Sequence, residues 1–208
     1  METKKVSRTE RRKEETRRRI LRVAIDLFKQ QGFDETTVDQ IANEADVAKC
    51  TIYSHFPEKE AIIYEHIQSI IREQTPAMLE YLNELPDTRS RLIAALQKSM
   101  EWMYIDLSND LFERHFVYKM SQAVQAIKHL DPSAGVGFST ILAHILKLGV
   151  ESGEIKPDAG IVIGGLELSH FFSALLWVNH PELVSINESI ERNVDFFLNG
   201  VKNELHDS

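Results

Sequence analysis

The chain has 208 residues, 43% of them hydrophobic, enough to bury at least one full core and compatible with one large domain or with a small and a medium one. A formal charge of −8 excludes a surface built throughout for polyanions, and the single cysteine, Cys50, excludes an internal disulfide, a CxxC pair and zinc-finger spacing. The charge is uneven: residues 1–22 carry ten Lys or Arg against four Glu, a net +6, which leaves −14 for the rest. Such an arm is either a phosphate contact at one end of an acidic body or an ordinary solvated terminus.

Nine Gly and six Pro are few for a sandwich or barrel, no region alternates strictly, and long stretches repeat at helical spacing. The expected class is therefore all-α. The N-terminus is charged where a secretory signal needs an apolar run, so a cytoplasmic location is expected.

In chain order, Ile20, Ala24, Leu27 and Phe28 fall on one face and predict an amphipathic helix over about 12–31, ended by Gly32. Thr37 to Gln40 is a capping-box pattern opening a short helix with Val38, Ile41 and Ala42 inward. Ala45-Asp46-Val47 reads as a tight connection, Asp46 being one of the few non-glycine types that tolerates a left-handed backbone. A third short helix carries Ile52 and Phe56 inward, and Pro57 suits the opening of a helix from Glu58 to near Leu82. Five more helices are expected at roughly 88–106, 110–129, 134–151, 158–178 and 186–205, the last marked by Ile186, Ile190, Val194, Phe197, Val201 and Leu205. The apolar run from Ala159 to Val178 is long enough to cross a bilayer, but Glu167 and His170 at its middle favour a helix buried in a soluble protein.

Three short N-terminal helices, the second and third joined by a tight turn, form a helix-turn-helix pattern whose third helix suits the DNA major groove, although plain packing produces the same geometry. The residues are more specific than the geometry. Gly32-Phe33, Thr36-Thr37-Val38, Ile41-Ala42, Ala45-x-Val47, Thr51-Ile52-Tyr53 and Phe56-x-x-Lys59-Glu60 stand at spacings that resemble the signature of the TetR family of bacterial regulators, over about fifty residues ending near Ile67. The resemblance implies a DNA-binding domain, 1–57, with a helix-turn-helix, joined to a C-terminal helical effector-binding and dimerisation domain, 58–208. It also implies a homodimeric transcriptional regulator, by default a repressor that a small-molecule effector releases from double-stranded operator DNA. No cofactor, metal or catalytic residue is expected.

The residue chemistry agrees with those roles. Thr37 opens a helix where a hydroxyl and free N–H groups meet a phosphate, or simply caps it. Lys49, Cys50, Thr51, Ser54 and His55 should face outward from the recognition helix, and Tyr53 can pack its ring while its hydroxyl reaches DNA. Lys59 is a cation in the first turn of a helix, against the macrodipole, and a phosphate there would resolve the conflict. Against the family pattern, Ala48 replaces the usual Ser or Thr cap at about 1 kcal/mol, and Cys50 stands where Gly is common. Cys50 reads as a small residue packed at a helix start, the alternative being a redox-sensitive thiol beside Lys49.

For the C-terminal domain, Trp102, Met103, Phe112, Phe116, Tyr118, Phe138, His144 and His170 are the candidates for an effector pocket, with core packing as the competing role of each. Gly164, Gly165, Leu168, Phe172, Leu175, Leu176, Phe197, Leu198 and Val201 are the candidates for a four-helix seam between subunits. Two other classes compete. Glu167-Leu-Ser-His170 is a Glu-x-x-His pair of the kind that ligates metal in ferritin-like enzymes, but those sites need a second such pair and the chain has none. A protein-interaction scaffold with a basic arm leaves Thr37, Tyr53 and Lys59 without a reason.

Overall fold

The computed structural model describes residues 7–104, 107–129 and 138–202. Among them are nine α-helices, one 3-10 turn and no strand, so the all-α class holds. Two compact units divide the chain, residues 1–66 and 67–208, with the boundary inside the fourth helix.

The first unit begins with α1, Arg8–Gln31, which starts earlier than the apolar pattern foretold. Its first turns carry charge and no apolar stripe. The start is instead set by a capping box: Glu10 N–H donates to Ser7 Oγ at 3.1 Å and Ser7 N–H to Glu10 Oε2 at 2.7 Å. Ile20, Ala24, Ile25 and Phe28 form its buried face. Gly32 ends it at φ 88°, a conformation open to glycine at no steric cost.

Helix α2, Val38–Glu44, opens on the expected capping box, with Thr37 Oγ1 accepting from Gln40 N–H at 3.2 Å and Gln40 Oε1 accepting from Thr37 N–H at 2.8 Å. Asp46 takes the left-handed conformation, φ 49°, that the turn requires. Helix α3, Lys49–His55, has no side-chain cap, as Ala48 implied. Helix α4, Lys59–Glu84, opens two residues after Pro57, which therefore lies outside it, and contains Pro76.

The second unit is built of α5, Thr88–Tyr104; α6, Asn109–His129; α7, Phe138–Glu151; α8, Ile163–Asn179; and α9, Ile186–Val201. The expected helix over 158–178 is split: Ala159–Ile161 is a separate 3-10 turn. The expected ends at 105–106, 134–137 and 203–205 lie outside the described residues. Helix α5 packs on α7 and α9, and α8 packs on α9 and α6. Gly149 is required where α5 meets α7, because a Cβ there would overlap Thr88 Oγ1. Arg89 holds α9 by a forked pair to Asp195 at 2.7 and 3.1 Å. No described helix is long and apolar enough to cross a membrane.

Candidate nucleic-acid interface

The surface of interest is α2, its turn and α3. Ile41, Ala42, Ala45, Ile52 and Phe56 are buried, so the inner face of the motif is sealed. Outward stand Lys49, Cys50, Tyr53 and Ser54, with Tyr53 50% exposed. Lys49 Nζ bonds Asp39 Oδ2 at 2.8 Å, joining α3 to α2, and this hydrogen bond raises its pKa. Ser54 Oγ donates back to Thr51 O at 2.7 Å. Cys50 is exposed and free, which corrects its reading as a packed small residue.

Two residues expected outward are half-buried. Thr51 and His55 directly precede Ile52 and Phe56 and so border the inner stripe. The His55 ring leans on Phe56 with centroids 6.2 Å apart, and its buried Nδ1 has no partner. Burial first, then the charges of Arg17 and Lys13, lower its pKa.

Lys59 is engaged within the fold. Its ammonium donates to Phe33 O at 2.8 Å and Thr36 O at 2.7 Å and lies 4.2 Å from the centre of the Phe33 ring. Two backbone carbonyls and an aromatic face offset the unfavourable position of a cation at a helix start. Lys59 therefore ties α4 to the loop between α1 and α2.

Sequence reasoning missed the matching tie on the other side. Arg17 on α1 donates to His55 O at 3.1 Å, pairs with Glu65 Oε2 at 2.8 Å and stacks 4.6 Å from the Phe56 ring centre. Nothing in the run Thr16-Arg17-Arg18-Arg19 distinguishes it from its neighbours. Its place one turn before Ile20 was the only available signal, and that signal is weak. Gln31, which donates to Glu35 O at 3.2 Å and Thr36 Oγ1 at 3.2 Å, completes the frame. One face of α1 adds a groove lined by Arg12, Glu15, Thr16, Arg18, Arg19 and Arg22, so the basic residues of the arm that are described lie on a helix.

In the second unit, Met103, Phe112, Phe116, Phe138 and His170 are buried, while Trp102, Tyr118 and His144 are half-buried. His144 Nε2 is paired with Asn83 Oδ1 at 2.9 Å. Phe116 and His170 come together around Phe171, their ring centres 5.8 and 6.0 Å from it. A surface cleft of about 470 Å³ between Met100, Trp177, Ile186 and Ile190 involves none of the expected pocket residues.

Of the expected seam residues, Gly164, Gly165, Leu168, Phe172 and Leu176 are exposed on α8, and Leu175 and Leu198 are half-buried. Phe197 and Val201 are buried inside the chain, where their apolar area is already in use, and Phe196, 84% exposed, takes the outer position instead. No three His, Cys, Asp or Glu side chains gather into a metal-binding group among the described residues.

Comparison with known proteins accords with this geometry. The family of bacterial regulatory proteins called the tetR family matches residues 20–65, which span the helix-turn-helix and the Lys59 side of the frame but begin after Arg17. The HTH-type transcriptional regulator AcrR of Shigella flexneri is 39% identical over 203 residues, covering 92% of this chain and 91% of that protein. The HTH-type transcriptional activator FasR of Mycolicibacterium smegmatis is 24% identical over 191 residues, 91% of this chain and 84% of that one. Among solved structures, the TetR-family transcriptional repressor FadR of Thermus thermophilus, in complex with lauroyl-CoA, shares the fold at a TM-score of 0.52 and 24% identity, covering 88% of this chain and 94% of that one. With its helix-turn-helix framed from both sides and a full-length relative of this identity, the chain belongs to the TetR family and is a DNA-binding transcriptional regulator.

Proposed function

We propose that the protein is a homodimeric repressor that places α3 of each subunit in the major groove of operator DNA and is released by a small-molecule effector in its helical unit. The observation that carries this reading is the division of labour on α3. Ile52 is buried at 1% exposure, while Lys49, Cys50, Tyr53 and Ser54 stand outward with no packing duty. Lys49 exchanges Asp39 for a DNA group on binding, and the Tyr53 hydroxyl and the turn at Thr37 meet the backbone. Thr51 and His55 contribute from the edge of that face, and Lys59 acts by holding it in place.

Two half-sites about 34 Å apart require two subunits. The exposed strip of Leu168, Phe172, Leu176 and Phe196, beside glycines with open space around them, supports α8 and α9 as the pairing surface. Release by an effector is supported by the related fold of FadR, a repressor solved with lauroyl-CoA, and by the polar groups buried in the second unit. By linkage, a molecule that favours the conformer unable to span both half-sites weakens DNA binding, and DNA weakens its binding by the same factor.

The test is fluorescence-anisotropy titration against tiled DNA from upstream of the protein's own gene, at two salt concentrations, with Tyr53→Ala alongside. The expected result is saturable binding to one tile that falls steeply with salt, is weakened in the variant, and is reversed by an extract of small metabolites. Absence of binding to any tile or genomic fragment at low salt overturns the DNA-reading assignment. Binding that no metabolite extract reverses overturns the effector assignment.

A further inference from the structure

Within the second unit, α6 and α8 bring a cation and a buried imidazole to one aromatic ring. The Lys119 ammonium lies 3.8 Å from the centre of the Phe171 ring, and the His170 ring centre is 6.0 Å from it on the same chain segment. Phe116 packs against both Phe171 and Phe172, at 5.8 and 5.5 Å, so the surroundings are apolar. Glu167 is close enough for its charge to be felt at Lys119, yet among the described residues no carboxylate lies within ion-pair distance of that ammonium. Arg114, on the same helix, has its own carboxylate in Asp110 at 3.0 Å.

His170 is 1% exposed. Ser99 Oγ lies 2.7 Å from Leu96 O and 3.2 Å from His170 Nε2, and its one proton serves one of the two. Burial, with the charge of Lys119 added, keeps the ring neutral, its pKa lowered to about 4. Nδ1 is buried and without a partner, and when Ser99 donates to Nε2 it carries the ring's own proton. The neighbouring His115, 2% exposed, is held neutral for the same reasons. An ammonium against an aromatic ring and an unpartnered Nδ1–H in an apolar setting both call for a group that accepts and carries negative charge.

We infer that the effector is an apolar organic acid whose carboxyl group binds between Lys119 and His170, with its hydrocarbon against Phe116 and Phe171. One oxygen accepts from the ammonium and the other from Nδ1–H, the Ser99 hydroxyl then donating to Nε2. An ester lacks the charge. An alcohol leaves the Lys119 charge uncompensated. A thioester such as lauroyl-CoA presents no carboxyl group to either. This inference rests on the effector reading above and adds the chemical class.

The experiment is isothermal titration of the full-length protein with octanoate, dodecanoate, hexadecanoate and cinnamate, each beside its methyl ester and its alcohol, and with lauroyl-CoA. Wild type and Lys119→Met are compared, with operator affinity and circular dichroism confirming that the variant folds. Since charge-assisted hydrogen bonds carry the difference, at least one acid should bind about tenfold or more tightly than its ester, alcohol and the thioester, and in Lys119→Met that preference should vanish. An acid that binds no better than its ester or alcohol, tighter binding of lauroyl-CoA, no binding in any series, or a preference that survives Lys119→Met overturns the inference. If a metabolite extract still releases the operator in any of those cases, the effector reading stands and only the carboxylate class falls. If the extract also fails, both fall.

Discussion

The two units use buried or half-buried cations in opposite ways. In the N-terminal unit, Arg17 and Lys59 are internal ties whose donors end on backbone carbonyls, a carboxylate and aromatic faces, all within the frame. In the helical unit, Lys119 lies on a ring with no ion-pair carboxylate among the described residues, beside an imidazole whose Nδ1 has no partner. A tied frame holds the reading edge in place before DNA arrives, so binding need not order it. An unsatisfied polar core leaves free energy for a bound molecule to supply, which suits a sensor.

The largest expected effect separates the units by acid. His115 is held at about 3 and His170 at about 4, burial being the main cause, so both stay neutral in the fold while the unfolded chain takes up protons below about 6.5. The unfolded state binds more protons in that window, so stability rises with pH through it and is fully present above it. Lowering the pH from about 7 to about 5 should remove roughly 2 kcal/mol per histidine. Urea unfolding at the two pH values should show the helical unit weakening while α1–α3 lose less. Equal midpoints at both values would refute the buried neutral histidines, and His170→Gln should remove about half of the dependence.

The next effect is on the frame. Lys59→Met deletes two charge-assisted hydrogen bonds and a cation–π contact and should cost about 2–4 kcal/mol in urea unfolding of the N-terminal unit. A stability within about 0.5 kcal/mol of wild type would return Lys59 to the role of a free surface cation. Gly149→Ala should then cost about 1–3 kcal/mol in the helical unit alone, since the buried Thr88 side chain has to shift to admit the methyl group. Smallest is Lys49→Ala. Its pair with Asp39 is exposed, so thermal stability should change by less than about 0.5 kcal/mol.

What the sequence disclosed follows the same division. Helix class, the capping box at Thr37, the left-handed Asp46 and the inward Ile52 and Phe56 were legible because each depends on residues at most a few positions apart. The start of α1 was missed because a charged segment has no apolar period, although Ser7 and Glu10 carry the capping signature. The Lys59 tie was not foreseen because its partners, Phe33 O and Thr36 O, are backbone atoms more than twenty residues away and carry no mark in sequence. Arg17 was hidden among identical neighbours. His170 was singled out, but its hydrogen-bond partner Ser99 is 71 positions distant and its unpartnered Nδ1 carries no mark in sequence. On α9, helical spacing found the apolar face, but Phe197 and Val201 face the chain's own core and Phe196 faces out.

The most direct test of a tied frame carrying a free reading edge is the salt dependence of operator affinity for wild type, Lys49→Ala and Lys59→Met, measured where all three are folded. Loss of one phosphate contact lowers the slope of log K against log salt by about 0.9. Lys49→Ala should show that drop, and Lys59→Met should keep the wild-type slope while binding more weakly. The reverse pattern, an unchanged slope in Lys49→Ala and a drop in Lys59→Met, would contradict the assignment of Lys49 to the DNA and Lys59 to the frame.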